Sequence, residues 1–313
     1  MSDFSASFDI PAHFKRAFST QWEHVLQQTN NKFSAAGMVE GDWNAKDYIW
    51  QDMDTVAGRD VTGQRLGDTN PQEITGGNRR GSQKEFDIPV IRDRWDNKWL
   101  DKQALPDGEV VTAMKAAANR WLDDVFIEAA GATVFGGADP YVTPITFPAG
   151  QQVGAAFGPS GALQSTMTPW KILEATRRLE AADIDPTAEE LYLAISPQQK
   201  YDLVRFVADA PNDMWAKVVG EWLTRDATGV PAKLMGYNVI MTNRLPTSTG
   251  TTDIRLCYAF TKRAFKVSPV TQELTIDRLP TKRNALQFFS HLAFGALRVR
   301  DRGVVQIACD EVI

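Results

Sequence analysis

The chain is poor in the residues that build covalent frameworks and metal centres. It has two cysteines, Cys257 and Cys309, and three histidines, His13, His24 and His291, in 313 residues. Two thiols cannot staple a small secreted fold, so a disulfide framework is excluded and a reducing compartment is expected. Neither sign of charge dominates, since 34 basic against 39 acidic side chains leaves a formal charge of −5. A general nucleic-acid binder draws its affinity from neutralising phosphates, and this balance does not supply it. No apolar run reaches membrane-spanning length. The longest stretch without a charge, Pro140 to Trp170, is broken by Pro144, Pro148, Pro159 and Pro169 and reads as loop or strand. Met1 to Ile10 has neither the basic start nor the apolar centre of a signal peptide. Also missing are a glycine-rich phosphate loop ending in Gly-Lys-Ser/Thr, a dinucleotide-binding glycine fingerprint after a strand, and a Gly-x-Ser-x-Gly nucleophile turn.

What is present is an ordinary globular composition, 43% apolar and 23% charged, which excludes a disordered or collagen-like chain. The length predicts about two packed units of roughly 150 residues each. Residues 11–28 read as an amphipathic helix with Pro11 at its first position and Phe14, Phe18, Trp22, Val25 and Leu26 on one stripe. That stripe needs cover, from its own core or from a neighbouring molecule. Residues 44–104 carry many charges and few aliphatics. Tyr48–Thr62 and Gln83–Arg94 read as the two strands of a long ribbon, and Gly67–Gly81 reads as its loose tip. A ten-residue strand spans about 33 Å, and a lone two-stranded ribbon is marginal in water. Such a ribbon is expected to lie on another surface.

Residues 107–130 give the clearest helix, with Asp107 as cap, an apolar repeat from Val110 to Ala129, and Gly131 as the stop. Its length is about 36 Å. Farther on, Pro169, Pro197 and Asp213 open helices. Glu190–Ser196 and Gly236–Thr242 read as strands, so that about 165–255 forms a compact α/β unit. The last part is β-rich. Ile254–Phe260 and Leu274–Arg278 are extended, and Gln287–Arg300 is a long strand. Val304–Cys309 is expected to return as its hairpin partner across Asp301-Arg302-Gly303.

Few residues point to chemistry. None of the histidines has a partner at ligand spacing, and each reads as an ordinary surface or core side chain. Asp52-Met53-Asp54 resembles a paired-acid metal motif, but such pairs are common in exposed strands and it reads as one. Two readings fit Arg79, Arg80 and Lys84: a solvated loop, or a charged contact with a neighbouring subunit. Arg278, Lys282 and Arg283 are too few for more than a weak, salt-sensitive grip on nucleic acid. Trp43, Trp50, Trp95 and Trp99 flank or sit in the polar ribbon, where they are either interface anchors or local core.

The order of these elements resembles the Hong Kong 97 phage-type major capsid proteins of tailed bacteriophages. Local sequence is similar too: Met235-Gly236-Tyr237-Asn238-Val239-Ile240 with Thr242-Asn243-Arg244-Leu245-Pro246, then Tyr258-Ala259-Phe260, Ile276-Asp277-Arg278-Leu279-Pro280, and Gly295-Ala296 through Val305. The resemblance covers nearly the whole chain. It implies an α+β fold with an N-terminal arm (1–43), an extended loop (44–104), a spine helix with the first part of a peripheral domain (105–164), an axial domain (165–255) and a returning β-rich peripheral domain (256–313). It implies a structural head protein, not an enzyme. Its copies would form hexamers and pentamers of an icosahedral shell enclosing double-stranded DNA without sequence-specific binding. It further implies no cofactor, metal or membrane, a separate scaffolding protein or none, a portal, room for a decoration protein, assembly in the host bacterial cytoplasm, and residence in the virion. Phe14, Phe18 and Trp22 of the arm, and Arg79, Arg80 and Lys84 of the ribbon, are expected to touch neighbouring subunits. Arg79→Glu with Arg80→Glu is expected to spare the monomer and impair the shell. Two rival readings are an encapsulin-like cellular compartment and a soluble two-domain metal-dependent enzyme using Asp47, Asp52 and Asp54.

Overall fold

The computed structural model describes residues 28–311, apart from 44, parts of 54–75, 93–106, 159–165, 187, 210–212, 228–232 and 249–253. The helix expected at 11–28, with Phe14, Phe18 and Trp22, lies outside the described residues, as do Trp95 and Trp99. The strands are β1 (Met38–Val39), β2 (Asp47–Met53), β3 (Gly76–Ser82), β4 (Lys84–Arg92), β5 (Val134–Gly136), β6 (Thr143–Ile145), β7 (Gln152–Val153) and β8 (Leu191–Ile195). They continue with β9 (Lys233–Leu234), β10 (Tyr237–Met241), β11 (Ile254–Thr261), β12 (Phe265–Val267), β13 (Thr271–Leu279), β14 (Ala285–Phe294), β15 (Ala296–Arg298) and β16 (Val304–Asp310). The helices are α1 (Asp107–Gly131), α2 (Pro169–Glu180), α3 (Pro197–Asp209) and α4 (Met214–Ala227). The chain divides into two compact units. One contains Phe86–Asn119 and Gln272–Leu292; the other contains Asn30–Glu85, Arg120–Thr271 and the chain from Ala293 onward.

The larger unit is organised by a six-stranded sheet in the order β7-β16-β11-β8-β10-β9. β8 is buried at all five positions, Leu191 to Ile195. Its apolar run therefore marks a central strand covered on both faces, not an alternating edge. β10 runs parallel to β8, and β11 runs antiparallel to both β8 and β16. Ile172, Ala175 and Leu179 of α2 are fully buried at spacings of three and four, the single apolar stripe of an amphipathic helix. The second half of α1 supplies Leu122, Val125, Phe126 and Ala130 to the same core. Phe126 stacks on Phe33 at 5.0 Å and tilts against Phe265 at 4.8 Å. The fully buried Asp123 accepts the backbone N–H of Lys32 at 3.0 Å and of Phe33 at 3.2 Å, which pins the segment leading into β1.

Two pairings differ from those expected. Val304–Asp310 does not return on the preceding strand. It pairs antiparallel with β11, Phe260 opposite Val304, and parallel with β7. The 3-10 turn Asp301–Gly303 redirects the chain instead of closing a hairpin. Val304, Val305, Ile307 and Cys309 are all fully buried, which two flanking strands and a covering helix achieve and a hairpin edge would not. The compact α/β unit consequently takes in β7, β11 and β16 besides residues 165–255. In the ribbon, β2 pairs with Gly76–Ser82, Asp47 opposite Ser82 and Met53 opposite Gly76, and not with Gln83–Arg94. The glycines of Gly76–Gly81 are thus strand, not tip. β4 pairs elsewhere, in the sheet β13-β14-β4.

That sheet shapes the smaller unit. Phe288 of β14 packs on Val110 and Met114 of α1, with Ile88 and Val90 of β4 alongside. From Gln287 to Phe294, β14 alternates partly exposed and buried positions, as a strand with one covered face should.

Candidate functional site

The residues that the sequence singles out in the ribbon meet in a four-stranded sheet, β2-β3-β5-β6. Register sorts them by face. Trp50 lies opposite Arg79, which lies opposite Gly136; Ile49 lies opposite Arg80, which lies opposite Phe135. Adjacent residues on a strand point to opposite faces, so Arg79 and Arg80 do different work.

The inner face is a small core of Trp43, Val134, Leu297 and Val299, joined by Tyr48 and Trp50. Trp43 is fully buried, so of the two readings offered for it, local core holds. Its indole fits because Gly81 and Gly295 leave it room: a Cβ on either would lie 2.7 Å from the ring. Arg79 gives Asp301 a two-pronged salt bridge, at 2.9 and 2.8 Å, and donates to the Arg298 carbonyl at 3.2 Å. Arg298, itself fully buried, donates to Asp301 at 2.8 Å and to the Ala130 carbonyl at 2.7 Å, with its guanidinium 4.8 Å over the Phe147 ring. Burial works to raise the Asp301 carboxyl, but hydrogen bonds from Arg79 and Arg298 and their charges outweigh it and hold the group below the usual carboxylate range. Arg79 is therefore committed within its own chain. Replacing it with Glu would set two carboxylates together in a poorly solvated place, so the expectation that the double substitution spares the monomer is corrected for Arg79.

The outer face is different. Ile49, Met53, Phe135 and the neighbouring Val142 are 37%, 67%, 48% and 58% exposed. Arg80 sits in the same row as Ile49 and Phe135 and reaches Asp47 at 2.8 Å, with Ser82 donating to the other oxygen at 2.6 Å. The Ser82 and Arg80 bonds lower the Asp47 carboxyl. Both Arg80 and Asp47 remain substantially exposed. Lys84 bonds Glu128 at 2.5 Å across an exposed pair, a contact worth little on its own. A cationic group set among exposed aliphatic and aromatic side chains suits a protein interface, whose anchors are aromatic and arginine residues.

Among the described residues the acids of the enzyme reading are not brought together. Asp47 is engaged as above, Asp52 lies 3.6 Å from Arg300, and Asp54 is outside the described residues. Among the described residues no group of three or more His, Cys, Asp or Glu side chains is placed to hold a metal, and no helix is long and apolar enough to cross a membrane. Cys257 and Cys309 are free, buried thiols. The sequence alone could not show that neighbouring arginines split between core and surface, nor that Arg298 and Asp301 complete the inner cluster. The register of β2 on β3 carries that information.

Solved structures resemble this chain over its whole length. The capsid of Ralstonia phage GP4 superposes with a TM-score of 0.66 at 13% identity, covering 100% of this chain and 99% of that one. The capsid of cyanophage Pam1 gives 0.65 at 12% identity, covering 99% of each chain. That of cyanophage P-SCSP1u gives 0.64 at 14%, covering 95% and 93%. A search of curated proteins by sequence finds no match. The fold is that of the Hong Kong 97-like major capsid proteins of tailed phages. A family model described as phage capsid protein matches residues 10–311, and the chain belongs to that family. It is a major capsid protein, a structural component of the virion that associates with itself into a shell; the cellular-compartment and enzyme readings are not favoured.

Proposed function

We propose that copies of the chain form hexameric and pentameric rings that close into an icosahedral shell around double-stranded DNA. Assembly takes place in the host bacterial cytoplasm with a separate scaffolding protein and a portal, and the finished shell has room for a decoration protein. The division into an arm (1–43), extended loop (44–104), spine helix and first peripheral part (105–164), axial domain (165–255) and returning peripheral domain (256–313) belongs to the same reading. Within it, Phe14, Phe18 and Trp22 cover a neighbour, the outer face of the ribbon sheet is a contact between subunits with Arg80 at its centre, and Lys84 of β4 is a further contact. Arg79 serves that contact indirectly, by holding the sheet on its inner core.

The observation that carries this reading is the exposed row Ile49, Arg80 and Phe135 on a sheet whose other face is already filled. Identical contacts repeated head to tail close into rings, which is how one surface patch builds a shell. The test is Arg80→Glu. It is expected to leave the thermal melt of the free chain within a few degrees of wild type and to cut particle yield in negative-stain micrographs at least tenfold. Normal particle yield would remove this face from the interface.

A further inference from the structure

β13 is unusual among the strands. It runs nine residues, Thr271–Leu279, and every side chain from Thr271 to Arg278 is exposed. It forms one end of its sheet, held only by β14, and among the described residues no strand pairs with its other edge. It carries neither proline nor lysine, and its charges are Glu273, Asp277 and Arg278. Gln272 donates to the buried Ser290 at 3.3 Å, on the side of β14 that also buries Phe288 and Leu292. Alternation then puts Leu274 and Ile276, 43% and 52% exposed, on that same apolar side. The strand thus prolongs the apolar face of the sheet, and no described strand takes up the backbone groups of its outer edge.

We propose that this edge pairs antiparallel with β13 of a second copy across a two-fold axis, so that two three-stranded sheets become one. The inference rests on the self-assembly proposed above and names one contact within it. Charge restricts the register. In such a pair one residue faces its own counterpart. Centring on Thr275 sets Glu273 against Asp277 twice, and centring on Glu273 or Asp277 sets a carboxylate against itself. Like charges directly opposite are destabilising. Centring on Leu274 or Ile276 avoids both and brings the aliphatic side chains of the two copies together. A single strand edge buries far less than the roughly 1,200–2,000 Å² of a stable interface. The contact therefore does not hold free dimers and forms only where other shell contacts bring the copies close.

Cysteine scanning in assembled particles tests this. Leu274→Cys, Ile276→Cys and Asp277→Cys particles are treated with oxidised glutathione and run on a non-reducing gel. Native Cys257 and Cys309 are buried, which keeps the background low. A disulfide-linked dimer at Leu274→Cys or Ile276→Cys, at least tenfold above that at Asp277→Cys, is the expected result. Intact particles with no dimer at either site, or with as much at Asp277→Cys, would overturn the pairing. If the cysteine chains do not assemble, Ile276→Glu decides: a folded chain by circular dichroism with at least tenfold fewer particles supports the contact, and unchanged yield refutes it. Wild-type particles, counted first, test shell formation separately; their absence would sink both ideas.

Discussion

Single residues show how little the type of a side chain says until its partner is known. Arg79 and Arg80 are chemically identical neighbours, yet one neutralises the buried Asp301 and the other stands on an exposed face beside Asp47. Arg79→Ala is expected to cost about 2–3 kcal/mol at neutral pH, the range for removing a charged hydrogen-bond partner from a buried acid. The pH dependence follows from the sign of the shift. Asp301 has a folded-state pKa below its ordinary value, so its pairing stabilises the chain above that value and is lost as pH falls through the folded pKa. The gap between wild type and Arg79→Ala in urea denaturation should therefore be full at pH 7 and shrink below about pH 4. A gap that does not change with pH would mean that Arg79 acts by packing alone. None of this was legible in the sequence, because Arg79 and Asp301 lie far apart along the chain and only the fold brings them together.

Elements were easier to read than their pairings. The helix of α1 and the strands β8, β10 and β11 fall close to where periodicity places them, because their apolar spacing is dictated by the core they enter. Pairing is a different matter. Asp301-Arg302-Gly303 has the composition of a hairpin turn, but the apolar run after it is satisfied by the two strands β11 and β7. The glycines of β3 look like a flexible tip, yet Gly81 is there for its missing side chain, since Trp43 occupies the space a Cβ would need. Gly295 does the same at the break between β14 and β15, where a Cβ would also approach the Ser82 carbonyl at 3.2 Å. Gly295→Ala should cost about 1–3 kcal/mol, the usual penalty of overpacking, and should lower the thermal midpoint by several degrees. A neutral result would show that the Trp43 pocket can open without loss.

At the scale of the whole molecule, a lone copy leaves two surfaces open. The inner face of the ribbon sheet is filled, and so is the covered face of β14; the row Ile49, Arg80 and Phe135 and the strand β13 are not. The first is foreshadowed by the scarcity of aliphatics in 44–104 and by the basic pair, but which arginine faces outward is not. The second was hidden, because a short exposed strand and a fully open edge look alike until the neighbours on each side are known. Both are expensive to leave bare in a concentrated solution of identical chains. The most direct measurement is the size distribution of the wild-type chain, purified after co-expression with its phage's scaffolding protein, by sedimentation velocity, with negative-stain micrographs of the fastest fraction. Closed, uniform shells of many copies are the result this account predicts. A single sharp boundary at the mass of one chain, with these faces bare at every concentration tested, would contradict it.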